Sequence, residues 1–272
     1  MCLNNTQYKM EFLLTTLAQY VPYYTDSPSF MQGAGGSSYG AVTLLGFALL
    51  IITGIIGAVV QQRLQSSMQL YSSTPAPMTG AEVAQRMLAD YGITDVRITH
   101  TPGKLTDHFN PADKTVNLSD SVYSQASVAA MAVAAHECGH AVQHARAYPW
   151  ISLRSELVPI VNIGSRLGQI VLVVGLLLLA MGSGTTVAWI GLALFATTTV
   201  FALVTLPVEF DASRRALAWL KSSGLADGAM HGQAGTALKW AAMTYVAAAL
   251  SSIAMLVYYA VLILSRASNN RD

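Results

Sequence analysis

Long apolar runs alternate along the chain with two polar stretches, and this alternation predicts the architecture. Residues 40–60 (GAVTLLGFALLIITGIIGAVV), 187–206 and 245–265 contain no Asp, Glu, Lys or Arg. Each is close to the roughly 20 residues that a helix needs to cross a hydrocarbon core of about 30 Å. Residues 168–184 are shorter but rich in Leu and Val, and Gly182-Ser183-Gly184 reads as a hairpin link into the next run. The pattern predicts a mainly α, multi-pass membrane protein with four transmembrane helices.

The polar stretches are residues 61–166 and 207–244. The first is long enough for a small α+β domain. It opens on a Ser/Thr/Pro linker, Ser72 to Pro77. A helix start follows, with Thr79 as cap and Glu82 three residues on, the spacing of a capping box. Residues 95–99 and 114–118 alternate like strands, and Pro102-Gly103 and Asn110-Pro111 mark turns between them. The second polar stretch predicts a helix ending near Gly224. Residues 1–39 read as an extracytoplasmic lead-in, whose apolar part is too short to span, and residues 266–272 as a tail.

An even number of spans puts both termini on one side and both polar stretches on the other. The polar stretches carry 12 of the 15 Lys and Arg residues, so the positive-inside rule turns them towards the cytoplasm of a cell membrane. Composition agrees: 53% of residues are hydrophobic and only 11% charged, against about a quarter charged in soluble domains. With a net charge of +1 there is no basic stripe for a phosphate backbone, so nucleic acid is excluded as a partner. Cys2 and Cys138 make no disulfide framework.

The candidate chemistry lies in His136-Glu137-Cys138-Gly139-His140, an H-E-x-x-H. On a helix, positions i and i+4 lie one turn apart on one face, so both imidazoles can reach one ion. Glu137 is then placed to take a proton from a water activated by Zn2+. Ser127 is a cap candidate, and residues 128–135 are strong helix formers. A third ligand is needed. His144 is eight residues from His136, a rise of about 12 Å, too far to share the metal with it, so it is either a supporting or a surface histidine. Glu156 and Glu209 compete. Glu156 has Arg154 and Arg166 as possible partners. Glu209 is favoured, because a carboxylate at the foot of an apolar helix is costly without a partner such as zinc.

Several blocks together resemble the bacterial neutral zinc metallopeptidases of the YugP type, distant relatives of the HtpX/Ste24 gluzincins. They are Met78 to Ala84, Pro102 to Phe109, Val133 to Ala145, Leu206 to Leu217 and Tyr245 to Leu250. The resemblance implies a gluzincin-like domain, zinc, and hydrolysis of peptide or protein substrates beside a lipid bilayer, with membrane-protein quality control as a role. It implies Glu209 as third ligand, from a downstream E-x-x-A-D pattern. Ser213 stands where that pattern has aspartate, a residue that accepts a hydrogen bond from a ligand histidine; Asp211 is the candidate replacement. The block 105–110 corresponds to an edge strand on which substrate backbone adds, and His108 to a donor for the oxyanion.

Two other readings carry distinct expectations. In an intramembrane site-2-type protease the H-E-x-x-H would lie within a span, but that span would have to contain His136, Glu137, His140, His144 and Arg146. Ready labelling of Cys138 by an aqueous thiol reagent would argue against it. In a zinc-stabilised scaffold Glu137 would be dispensable and the site closed by four protein ligands.

Overall fold

Four helices in the computed structural model, which describes residues 38–269, are long and apolar enough to cross a membrane. They are α1 (Ser38–Ser72), α5 (Pro149–Ala180), α6 (Thr185–Ser222) and α7 (Gly228–Asn269). Between α1 and α5 the chain forms α2 (Gly80–Asp90), β1 (Arg97–Thr101), β2 (His108–Asn110), β3 (Thr115–Ser119), α3 (Asp120–Tyr123) and α4 (Val128–Ala145). The fold is mainly helical with one small sheet. The expected lead-in up to residue 37 and the tail beyond residue 269 lie outside the described residues.

The long helices run past the apolar windows that announce them. The hairpin at Gly182 and Gly184 sits where the sequence places it, and both glycines take positive φ, 85° and 79°. Yet α5 begins at Pro149, where a missing N–H costs nothing, and continues through Pro159. Likewise α6 passes through Pro207 without ending. The apolar run 187–206 and the expected polar helix after it are therefore one helix. It ends just before Gly224, which takes φ 71°.

The chain divides into two compact units. One contains Val59–Leu153 and Thr205–Tyr245. Its sheet has the order β1-β3-β2, with β1 parallel and β2 antiparallel to β3. Hence β2 is an edge strand, pairing His108 with Asn117 and Asn110 with Thr115. The strands expected at 95–99 and 114–118 are present, shifted by one or two residues; the three-residue β2 is too short to show an alternation. Thr79 and Glu82 form the expected capping box at the start of α2. Ser127 caps α4 through the amide of Ala130.

One apolar core joins these elements, with Val83 and Met87 of α2, Val116 and Leu118 of β3, and Met131, Ala135 and Cys138 of α4. Ala216, Trp219 and Leu220 bring the end of α6 into the same core. Burial of this apolar surface, at about 25 cal/mol per Å², is the force that closes the unit. Trp219 Nε1 donates to Asp90 at 2.9 Å, tying α6 to the end of α2.

The second unit contains Arg154–Val204 and the described parts of the segments ending at Ala58 and beginning at Val246. Here α5 and α6 touch backbone to backbone. A Cβ on Gly175 would lie 2.4 Å from the Ala188 nitrogen, and one on Gly191 would lie 2.3 Å from that of Leu172. Such close approach is how helices pack in lipid, where no hydrophobic force separates helix from solvent. Thr199 and Ser252 share a hydroxyl hydrogen bond of 2.6 Å between α6 and α7.

Candidate active site

The α4 helix supplies two imidazoles on one face, as its i, i+4 spacing dictates. The rings of His136 and His140 lie edge to face with centroids 4.8 Å apart. Glu209 comes from α6: its Oε2 is 3.3 Å from His136 Nε2 and 3.6 Å from His140 Nε2. Glu209 is only 2% exposed. Among the described residues these three form the one group of at least three His, Cys, Asp or Glu side chains able to hold a metal, all ligand atoms lying within 4.8 Å. His144 and Glu156 are not in it.

The donor set fits zinc. Ligand atoms bonded at ~2.0–2.1 Å in a tetrahedron lie about 3.3 Å apart, close to both Nε2–Oε2 separations. The Nδ1 atoms face elsewhere: His136 Nδ1 lies 3.1 Å from Ser213 Oγ, and His140 Nδ1 lies 3.0 Å from Gln143 Oε1. Both Nε2 atoms are thereby left to face Glu209.

A close helix crossing makes this convergence possible. A Cβ on Gly139 would stand 2.6 Å from the Ala212 carbonyl oxygen and 3.2 Å from its Cα. Both are backbone atoms of α6 one turn past Glu209, and they cannot swing aside. Gly139→Ala is expected to force the helices apart, despite alanine's better helix propensity. The cost should be about 1–3 kcal/mol, the usual range for overpacking. A lower melting temperature together with weaker zinc retention would show it; an unchanged protein would refute the crossing.

Glu137 is buried beside the group, and its Oε2 accepts from the backbone N–H of Phe109 at 3.0 Å. That amide belongs to β2, whose pairing with β3 leaves it pointing towards α4. Burial pushes the Glu137 carboxyl up to about 7, with Asp107 and Glu209 adding to the rise. His136 and the Phe109 amide oppose it. Asp107 is also raised by burial, although it accepts from the Ser119 amide and hydroxyl. Those bonds anchor the start of β2 to the end of β3.

His108 lies on β2 with Nδ1 2.8 Å from the Thr106 carbonyl oxygen. A carbonyl only accepts, so Nδ1 carries the proton there. His144 packs its ring 5.7 Å from that of Phe109.

Cys138 faces the opposite way from the imidazoles. It is fully buried, with Sγ 3.7 Å from the Ala84 carbonyl, and burial pushes its thiol up. Aqueous labelling of this thiol therefore cannot discriminate a membrane location from a buried one. The expected result is no reaction in the native protein and full reaction after denaturation, read by mass spectrometry. The α4 helix is not among the four helices long and apolar enough to cross a membrane, and it packs against α2 and the sheet.

Sequence reasoning missed Gln143, whose polar side chain is 0% exposed, and the amide of Phe109. A glutamine one turn after His140 was a readable signal. A backbone amide carries none. Ser213, standing in place of the usual aspartate, itself reaches His136, while Asp211 reaches the site through Gln143 Nε2 at 2.9 Å.

A family model described as "Putative neutral zinc metallopeptidase" matches residues 46–264. The chain belongs to that family. As a member of it, the chain is similar to "Putative membrane protease YugP" of Bacillus subtilis (strain 168), with 38% identity over 214 residues, 78% of this chain and 92% of that protein. No solved structure matches it. The four long apolar helices agree with a membrane protease, and the His136, His140 and Glu209 group agrees with zinc.

Proposed function

We propose that this family member is a membrane-embedded zinc-dependent metalloendopeptidase in which His136, His140 and Glu209 hold the metal and Glu137 is the general base. The observation that carries the reading is the convergence of those three side chains from two helices, with an independent buried carboxylate one residue along. A structural site has no use for that fourth group. Zinc, when bound, polarises a carbonyl and lowers the pKa of a water towards ~7.

Glu137 takes the proton from the attacking water and later delivers it to the leaving amine. The Phe109 amide holds one of its oxygens, which leaves the other to face the reacting water. As an edge strand, β2 can accept an extended substrate backbone as a further strand. His108 is the candidate donor to the oxyanion. Because its Nδ1 proton is given to Thr106, the neutral ring presents a lone pair on Nε2, and His108 can donate there only as imidazolium. The polar segments 61–166 and 207–244 face the cytoplasm in this proposal, and the substrates are peptides or proteins, membrane proteins among them.

The test is zinc content and casein hydrolysis of the detergent-purified full chain. About one zinc per chain, with hydrolysis abolished by a chelator and restored by zinc, is the expected result. A chain that holds zinc but cleaves neither casein nor a panel of membrane-protein substrates would overturn the peptidase reading.

A further inference from the structure

The Gln143 side chain is enclosed between α4 and α6 and makes three hydrogen bonds. Its Nε2 lies 2.8 Å from the Val208 carbonyl oxygen and 2.9 Å from Asp211 Oδ2. Its Oε1 lies 3.0 Å from His140 Nδ1. The first two partners are both acceptors. A backbone carbonyl has no proton to give, and the Asp211 oxygens already take Arg214 on one side and Arg215 Nε at 2.5 Å on the other. Only the NH2 end of the amide can face them, and its two protons are then used, one on each. The carbonyl end is left for His140, and a carbonyl can only accept. The proton of the neutral His140 ring must therefore sit on Nδ1.

We infer that Gln143 is a positioning residue that selects the Nδ1–H tautomer of His140 and so keeps the Nε2 lone pair directed at Glu209 and the metal between them. The inference rests on the metal-site reading above. Free imidazole side chains favour the opposite tautomer, with the proton on Nε2, which would block ligation. In metal sites a carboxylate or carbonyl commonly fixes the ligand histidine directly. Here the Asp211 carboxylate acts at one remove, by fixing which end of an amide meets the ring. The bond to Val208, the neighbour of Glu209, makes the same side chain a tie between the two ligand-bearing helices. The contact at His136 Nδ1 is of a different kind. Its partner there is the Ser213 hydroxyl, which can donate or accept and so does not by itself select a tautomer.

The experiment uses the full chain in detergent, with 15N-labelled histidine and the metal stripped by a chelator, at a pH of about 8.5, where imidazole is neutral. Long-range 1H–15N correlations report the tautomer of each ring, and the His140 signal is the one that His140→Ala removes. The wild type is expected to show Nδ1–H at His140, and Gln143→Met a mixture containing Nε2–H. In chelator competition Gln143→Met should bind zinc ~10–100-fold more weakly. A merely structural role would lower the melting temperature of the stripped protein while leaving the tautomer and zinc affinity of the folded fraction unchanged, and that result would overturn the inference. So would Nε2–H at His140 in the wild type, an arm that stands even if Gln143→Met fails to fold. Wild type that binds no zinc sinks the metal-site reading itself; wild type that binds zinc no more tightly than Gln143→Met sinks only the positioning role.

Discussion

Glu137→Gln is expected to abolish casein hydrolysis while the chain keeps its zinc. The substitution preserves shape and leaves an oxygen to accept from the Phe109 amide, so the 3.0 Å bond to β2 can persist. What it removes is the ability to take a proton. A positioned general base contributes ~10²–10⁴-fold to rate, and hydrolysis should fall by at least that much at unchanged zinc content.

The same variant should be more stable than wild type when stripped of metal, and the sign follows from linkage. Burial raises the folded-state value of Glu137 from 4.5 to about 7. Ionising it in the folded chain is therefore unfavourable relative to the unfolded chain. That cost is absent below pH 4.5, grows as pH rises, and is complete above about 7. Metal-stripped Glu137→Gln should gain melting temperature over wild type at pH 8 but little at pH 4. Equal gains at both would indicate a cause other than the buried charge.

Glu209→Ala is expected to lose the metal. With His136 and His140 alone, two ligands remain where catalytic zinc sites use three, and the carboxylate that faces both Nε2 atoms at 3.3 and 3.6 Å is gone. Zinc content after dialysis should fall from about one per chain to near zero, with hydrolysis falling in parallel. The contrast with Glu137→Gln is the informative part, since one variant keeps zinc and loses turnover while the other loses both. Zinc retained in Glu209→Ala would remove Glu209 from the ligand set. Glu156 would not be its natural replacement, because it does not join the imidazole group among the described residues.

Much of this protein was legible in the chain by itself. Four apolar runs announced four long helices because a bilayer demands about 20 residues without charge, a requirement local to each run. Thr79 and Glu82, and Ser127, announced helix starts because capping is a contact over three residues. His136, Glu137 and His140 were readable because helical spacing alone puts two imidazoles on one face. Helix ends were less readable: the continuation of α6 through Pro207 depends on the packing of Val208, Ala212 and Ala216 into buried positions, which outweighs one missing backbone bond.

What only the tertiary structure decided is how the two helices that carry the proposed ligands meet. Sequence weighed Glu209 against Glu156, but bringing Glu209 to the imidazoles required the Gly139–Ala212 approach, a contact between residues 73 apart in the chain. The partners of the two Nδ1 atoms, Ser213 and Gln143, and the amide that holds Glu137 were settled in the same way. Hydrogen bonds of this kind depend on side-chain and backbone direction across an interface, and no periodicity encodes direction between separate segments. The residue types proposed to bind and activate are written in the chain; the geometry that brings them together exists only once α4, α6 and β2 have packed.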